Sequence, residues 1–162
     1  QDYAIRAISE LINRGFLVKL IVAGNGNELF TKYCIELAES LKVKDSVSFV
    51  GYVNDPYKIY LASDCLLMCS DFEAMGRVTV EAMSACIPVI GKNSGGTPEL
   101  IIHGKTGFIY NTFSELTDYM QLLIENPGFS RQCGIEGNRI AQMNYSIEEY
   151  AIQVFDLINT VI

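Results

Sequence analysis

Apolar positions along this chain alternate between two periods. Ala4, Ala7, Ile8, Leu11 and Ile12 fall at i, i+3, i+4, i+7 and i+8, the spacing of one helical face, and Gly15 ends the run. The next stretch, LVKLIVAG at 17–24, is dense in β-branched residues and closes on glycine. It predicts a strand of the kind buried in a parallel sheet. Phe30, Tyr33, Cys34, Leu37, Ala38 and Leu41 again share a helical face, and Val47, Phe49 and Val50 make a second strand closed by Gly51. Asp55 and Pro56 mark a helix start as N-cap and first helical residue, with the helix running to about Ala62. A third strand is expected at 65–69 (CLLMC), a helix at 77–85 and a short fourth strand at 88–90. A brief helix from Thr97-Pro98-Glu99 and a fifth strand at 107–110 complete the alternation. The remainder reads as helix. Ser146 and Glu149 form a capping box, and behind it Ile147, Tyr150, Ala151, Val154, Phe155, Ile158 and Val161 line one face.

Strands alternating with helices predict an α/β domain, a doubly wound parallel sheet covered on both faces. At 162 residues the chain is expected to form one domain. Ligands of such sheets bind at the C-terminal ends of the strands. The loops of interest therefore follow Val22, Val50, Cys69, Ile90 and Tyr110. Net charge is −7, which argues against nucleic acid as a main partner, because phosphate-backbone binding relies on clustered Lys and Arg. A small phosphate site remains open, since backbone N–H groups build one. No apolar run reaches the roughly 18 residues that would span a bilayer. The five cysteines include no C-x-x-C pair, and one histidine does not complete a zinc site of usual spacing. Free, mostly buried thiols in a reducing compartment are expected.

The first loop, A-G-N-G-N-E, lacks the third small residue of a dinucleotide fingerprint, because Leu29 stands there. No acidic residue ends the next strand, so an NAD site is disfavoured. The third loop is more informative. It runs C-S-D-F-E-A-M-G-R-V-T-V-E-A-M, with Glu73 just past a strand end and Glu81 eight residues on, inside the following helix. Gly76 precedes that helix. The spacing suggests that the amides of Met75, Gly76, Arg77 and Val78 point out of the helix N-terminus, whose positive dipole end favours a diphosphate. Arg77 either adds charge there or faces solvent. Two carboxylates beside an anion site need a target other than the anion. Sugar and ribose hydroxyls are one, with Glu81 taking the ribose and Glu73 the transferred sugar. By spacing alone, two solvated carboxylates, one of them capping the helix, explain the pattern better.

The stretch SDFEAMGRVTVEAMSACIPVIGKNSGGTPELIIHGKTGFIY, residues 70–110, resembles the donor-site signature of the family-4 (group 1) retaining glycosyltransferases. Glu73 and Glu81 meet that family's E-x7-E motif, with Gly76 between them and Glu81-Ala82-Met83 opening the helix. Pro88-Val89-Ile90, the G-G-T-P-E at 95–99 and the G-K-T-G-F at 104–108 follow in the family's order. The resemblance extends over nearly the full chain. It departs at Cys86, where the family usually has glycine, and at His103, in a turn that often carries Asp and where a surface histidine is expected.

The resemblance implies the C-terminal half of a two-domain GT-B fold, with residues 1–162 as the nucleotide-sugar-binding domain. It further implies that the first strand, with a diphosphate-binding Arg and Lys, and the N-terminal acceptor domain lie outside this chain. The implied activity is transfer of a hexose from a nucleotide diphosphate sugar to an acceptor hydroxyl with retention, by an enzyme of which this fragment alone is expected to be inactive. Glu73 is the implied catalytic-site residue. Ala74, Met75, Gly76, Arg77, Val78 and Glu81 are the implied donor contacts, and Gly51-Tyr52-Val53 the implied nucleobase contact, where Tyr52 either stacks on the base or packs near Pro56. No D-x-D is present, so neither a metal nor another cofactor is expected. A cytoplasmic setting, with the full-length protein at the inner membrane face, accompanies the commonest family role. A non-catalytic nucleotide-binding module and a nucleotide-sugar epimerase on the same architecture are the alternatives.

Overall fold

A computed structural model describes residues 1–161. Eight helices and five strands alternate along those residues, and the strands form parallel ladders, so the α/β class holds. Hydrogen bonding divides the strands into two sheets rather than one, β1-β2 and β3-β4-β5. Apolar periodicity sets the number and kind of the elements and does not specify which strands pair. The chain divides correspondingly into two compact units.

The first unit comprises residues 1–56 and 110–125. Helix α1 (Asp2–Asn13) buries Ala4, Ile5, Ala7, Ile8 and Leu11, the face that the spacing predicts. Strand β1 is Leu20–Ala23, shorter than the β-branched run, and Leu17 is fully exposed. Helix α2 (Glu28–Ser40) starts at Asn27, whose side-chain oxygen accepts from the amides of Leu29 and Phe30 at 2.9 and 3.2 Å. A 3-10 turn at Lys44–Ser46 leads into β2 (Val47–Gly51), which pairs with β1. Ile5, Cys34, Leu37, Ala38, Val43 and Val47 form the core here. Helix α6 (Phe113–Glu125) also belongs to this unit. Arg14 at the end of α1 donates to Asp118 and Gln121 of α6 at 2.9 Å each.

The second unit comprises residues 57–109 and 126 onward. It contains α3 (Tyr57–Leu61), β3 (Leu66–Met68), α4 (Arg77–Ser84), β4 (Val89–Lys92), α5 (Thr97–Leu100) and β5 (Gly107–Tyr110, up to Ile109). The two C-terminal helices are α7 (Pro127–Tyr145) and α8 (Ile147–Val161). Tyr60, Met68, Ala82, Met83, Ala85, Val89, Ile101 and Ala141 are its core. Helix α7 lies against α4 at very short range. A β-carbon on Gly134 would stand 1.9 Å from the carbonyl oxygen of Cys86. Half of the predicted capping box forms, since Ser146 Oγ accepts from the Glu149 amide at 3.1 Å, while the Glu149 carboxylate instead accepts from Gln153. The apolar side chains of α8 from Ile147 to Ile158 are exposed, Ile147 and Phe155 most of all. No helix among the described residues is long and apolar enough to cross a membrane.

The thiols are less buried than expected. All five are free, but only Cys34 and Cys133 are buried, and burial raises the pKa of each. Cys65 and Cys69 are half-buried and Cys86 is exposed. Cys86 also takes φ +60°, the left-handed region that costs a residue with a β-carbon about 1–2 kcal/mol. Cys86→Gly removes that strain, and glycine's greater unfolded-state freedom offsets part of the gain. The expected result is a net stabilisation of about 0.5–1 kcal/mol, read as a higher urea midpoint with an unchanged slope. An unchanged or lower midpoint would show that the turn is unstrained.

Candidate donor site at the start of helix α4

The sequence-predicted residues 73–81 all lie in the second unit, on the β3–α4 loop and the first turns of α4. Gly76 is the N-cap of α4 in a left-handed conformation, φ 59° and ψ 53°. Its carbonyl accepts from the Thr79 amide at 2.7 Å, which closes the first turn. Its own amide differs from expectation. Rather than facing outward with its neighbours, Gly76 N–H donates to Glu73 Oε1 at 3.1 Å. Three residues separate acceptor and donor, so the Glu73 carboxylate satisfies one of the orphan amides of the helix start and sits at its positive end. The amides of Met75, Arg77 and Val78 have no hydrogen-bond partner among the described residues. Ala74, Met75, Arg77 and Val78 are exposed, while Glu73 and Glu81 are half-buried. The Arg77 side chain is exposed and forms no ion pair with any described residue.

Glu73 is held mainly from the backbone. Its carbonyl accepts from the Gly96 amide at 2.7 Å. A β-carbon on Gly95 would meet that carbonyl oxygen at 2.3 Å, and one on Gly96 would meet the Ala74 oxygen at 2.2 Å. Two further bonds tie the same loops: Lys92 Nζ pairs with the Asp71 carboxylate, and Ser94 Oγ donates to the Asp71 carbonyl. The glycine pair thus allows the β4–α5 loop to lie directly against the segment that carries Glu73.

Glu81 is fixed differently. Its Oε2 accepts from the Tyr60 hydroxyl at 2.9 Å, across from α3. Burial, together with the carboxylate, raises the Tyr60 pKa above its ordinary value, so the phenol remains a donor at neutral pH. Sequence reading assigned Tyr60 no part. Only its helical environment was legible, because its partner is 21 residues away.

Gly51, Tyr52 and Val53 belong to the first unit, at the end of β2 and in the loop beyond it. The Gly51 carbonyl accepts from the Gly24 amide at 2.7 Å, and Tyr52 is 71% exposed rather than packed away. His103 is exposed, as expected. Its Nδ1 accepts from the Ile109 amide at 3.1 Å, which gives it a turn-forming part. No group of three or more His, Cys, Asp and Glu side chains among the described residues is arranged to hold a metal ion.

The sequence model of the family described as glycosyl transferases group 1 matches residues 1–139. The chain belongs to that family. Among its relatives, the N-acetyl-alpha-D-glucosaminyl L-malate synthase of Bacillus anthracis is 37% identical over 91 residues. That match covers 56% of this chain and 23% of that protein. A GDP-mannose-dependent phosphatidylinositol monomannoside mannosyltransferase of Mycobacterium tuberculosis is 35% identical over 118 residues, 67% of this chain and 30% of that protein. The group 1 glycosyl transferase chain therefore spans only part of the length of the curated relatives it matches. Its fold recurs in Anabaena HepE, solved in complex with UDP, with a TM-score of 0.90 at 24% identity, covering 99% of this chain and 45% of that one. It recurs also in the C-terminal domain of the group 1 protein LpcC from Francisella tularensis, with a TM-score of 0.79 at 21% identity, covering 90% and 79% respectively.

Proposed function

We propose that residues 1–162 form the donor-nucleotide domain of a retaining hexosyltransferase that moves a sugar from a nucleotide diphosphate to an acceptor hydroxyl. The observation that carries the reading is the start of α4. Open amides at a positive helix end stand beside two half-buried carboxylates that are each held in place. In this reading the amides of Met75, Arg77 and Val78 and the helix dipole take the charge that develops on the departing diphosphate, with no metal required. Glu81 accepts the ribose hydroxyls, and Glu73 orients the transferred sugar through the oxygen not committed to Gly76. Catalysis then consists of charge stabilisation and positioning, since a diphosphate is already a good leaving group. HepE crystallised with UDP-glucose, and a relative named for GDP-mannose, favour a nucleotide sugar as the donor class.

Calorimetric titration with UDP, GDP, ADP and their glucose conjugates tests this. One nucleotide should bind. Glu81→Ala should weaken that nucleotide and its conjugate alike by about 10- to 100-fold, the loss of a charged hydrogen bond of about 1.5–3 kcal/mol. Glu73→Gln, which keeps an oxygen for the Gly76 amide, should spare the free nucleotide and weaken only the conjugate. Equal effects of both changes on the free nucleotide, or binding of none of the three, would overturn the reading.

A further inference from the structure

Tyr60 is the one buried residue of α3, and its ring packs with Met68, Ala82 and Met83 in the core of the second unit. Phenylalanine would fill that place equally well. The hydroxyl has one hydrogen bond, to Glu81 Oε2, and Glu81 Oε1 has no partner among the described residues. A glutamate side chain has three rotatable bonds and, half-buried on a helix, would sample several orientations. A ring locked by packing leaves its hydroxyl at a fixed point, and a carboxylate bonded to that point has one oxygen committed and the other directed away.

We infer that Tyr60 is a positioning residue for nucleotide recognition, holding Glu81 so that its free oxygen is presented to the ribose diol of a nucleoside diphosphate. The inference rests on the donor-site reading and deepens it by adding the residue through which Glu81 is selective. A tyrosine that merely tied α3 to α4 would affect every ligand equally. One that aims Glu81 affects only ligands that carry ribose hydroxyls.

The test titrates the chain, and its Tyr60→Phe, Glu81→Ala and doubly substituted forms, with UDP, GDP and ADP, each beside its 2′,3′-dideoxy counterpart. Tyr60→Phe should bind the ribonucleotide about fivefold more weakly, the scale of one lost hydrogen bond. It should leave the dideoxy counterpart unchanged, and the double form should be no weaker than Glu81→Ala alone. Thermal melts of all four forms check folding. Should Tyr60→Phe fail to fold, Glu81→Gln carries the test: its amide oxygen still accepts from Tyr60, so discrimination against the dideoxy ligand should survive in part. Equal losses for both ligands in Tyr60→Phe, or no loss there while Glu81→Ala weakens the ribonucleotide alone, would overturn the inference and leave the donor-site reading standing. A Glu81→Ala form that keeps the unsubstituted chain's preference for the ribonucleotide over its dideoxy counterpart would overturn both.

Discussion

In the whole enzyme whose donor half this chain is proposed to supply, Gly95→Ala should lower the rate of the proposed sugar transfer about 100-fold, the scale of displacing a positioning group by about 1 Å. The added methyl carbon would stand 2.3 Å from the Glu73 carbonyl oxygen and 2.9 Å from the Glu73 nitrogen, and no rotamer change relieves a contact with backbone. The loop must retreat and Glu73 with it. Gly95 also has φ +57°, so alanine adds backbone strain of about 1–2 kcal/mol. Gly104→Ala separates the two effects. Gly104 has φ +73° but open space where its β-carbon would go, so it meets the strain without the displacement. A larger melting loss in Gly95→Ala than in Gly104→Ala, with kcat falling only in Gly95→Ala, is expected. An unchanged kcat in Gly95→Ala would mean that Glu73 is positioned by something other than this loop.

A second large effect, on stability alone, belongs to Gly134. Alanine is favoured over glycine in a helix by about 1 kcal/mol, so the substitution would ordinarily stabilise α7. Here its β-carbon would meet the Cys86 carbonyl oxygen at 1.9 Å and the carbonyl carbon at 2.7 Å. The helix must move off the end of α4, loosening the packing over Met83, which is fully buried. Overpacking of this kind costs about 3 kcal/mol. The net loss is about 2 kcal/mol, which lowers the melting temperature by about 4–8 °C for a chain of this size. Gly128→Ala in the same helix has nothing within 4 Å of the added carbon and should shift the melt slightly upward. Melts moving in the same direction for both would show that α7 does not depend on close approach at Gly134.

What was legible in the sequence was whatever a local period or a local pair can encode. The apolar face of α1, the bounds of β5 and the placing of α4 follow from spacing. So does the cap from Glu73 to Gly76, an acidic acceptor three residues before a donor, which the sequence offers as the alternative to ligand binding. Strand length was less readable. The run at 17–24 is β-branched throughout, yet only Leu20–Ala23 pairs, because a ladder ends where the neighbouring strand ends and not where the composition changes. The contacts that fix the two glutamates were beyond reach for a related reason. Tyr60 to Glu81 and Gly96 to Glu73 join residues more than 20 positions apart, and a glycine needed for close approach looks the same in sequence as one needed for a turn.

Because Glu73 is located by the main chain of the loop opposite, the side chains beside it have little structural duty. Ala74, Met75 and Arg77 are exposed and make no hydrogen bond through their side chains to any described residue. Exchanging them would alter the size and charge of what surrounds the proposed anion site without moving the carboxylate. Such a layout is evolvable: side chains at three positions can change, while a glycine pair some 20 residues away keeps Glu73 in place.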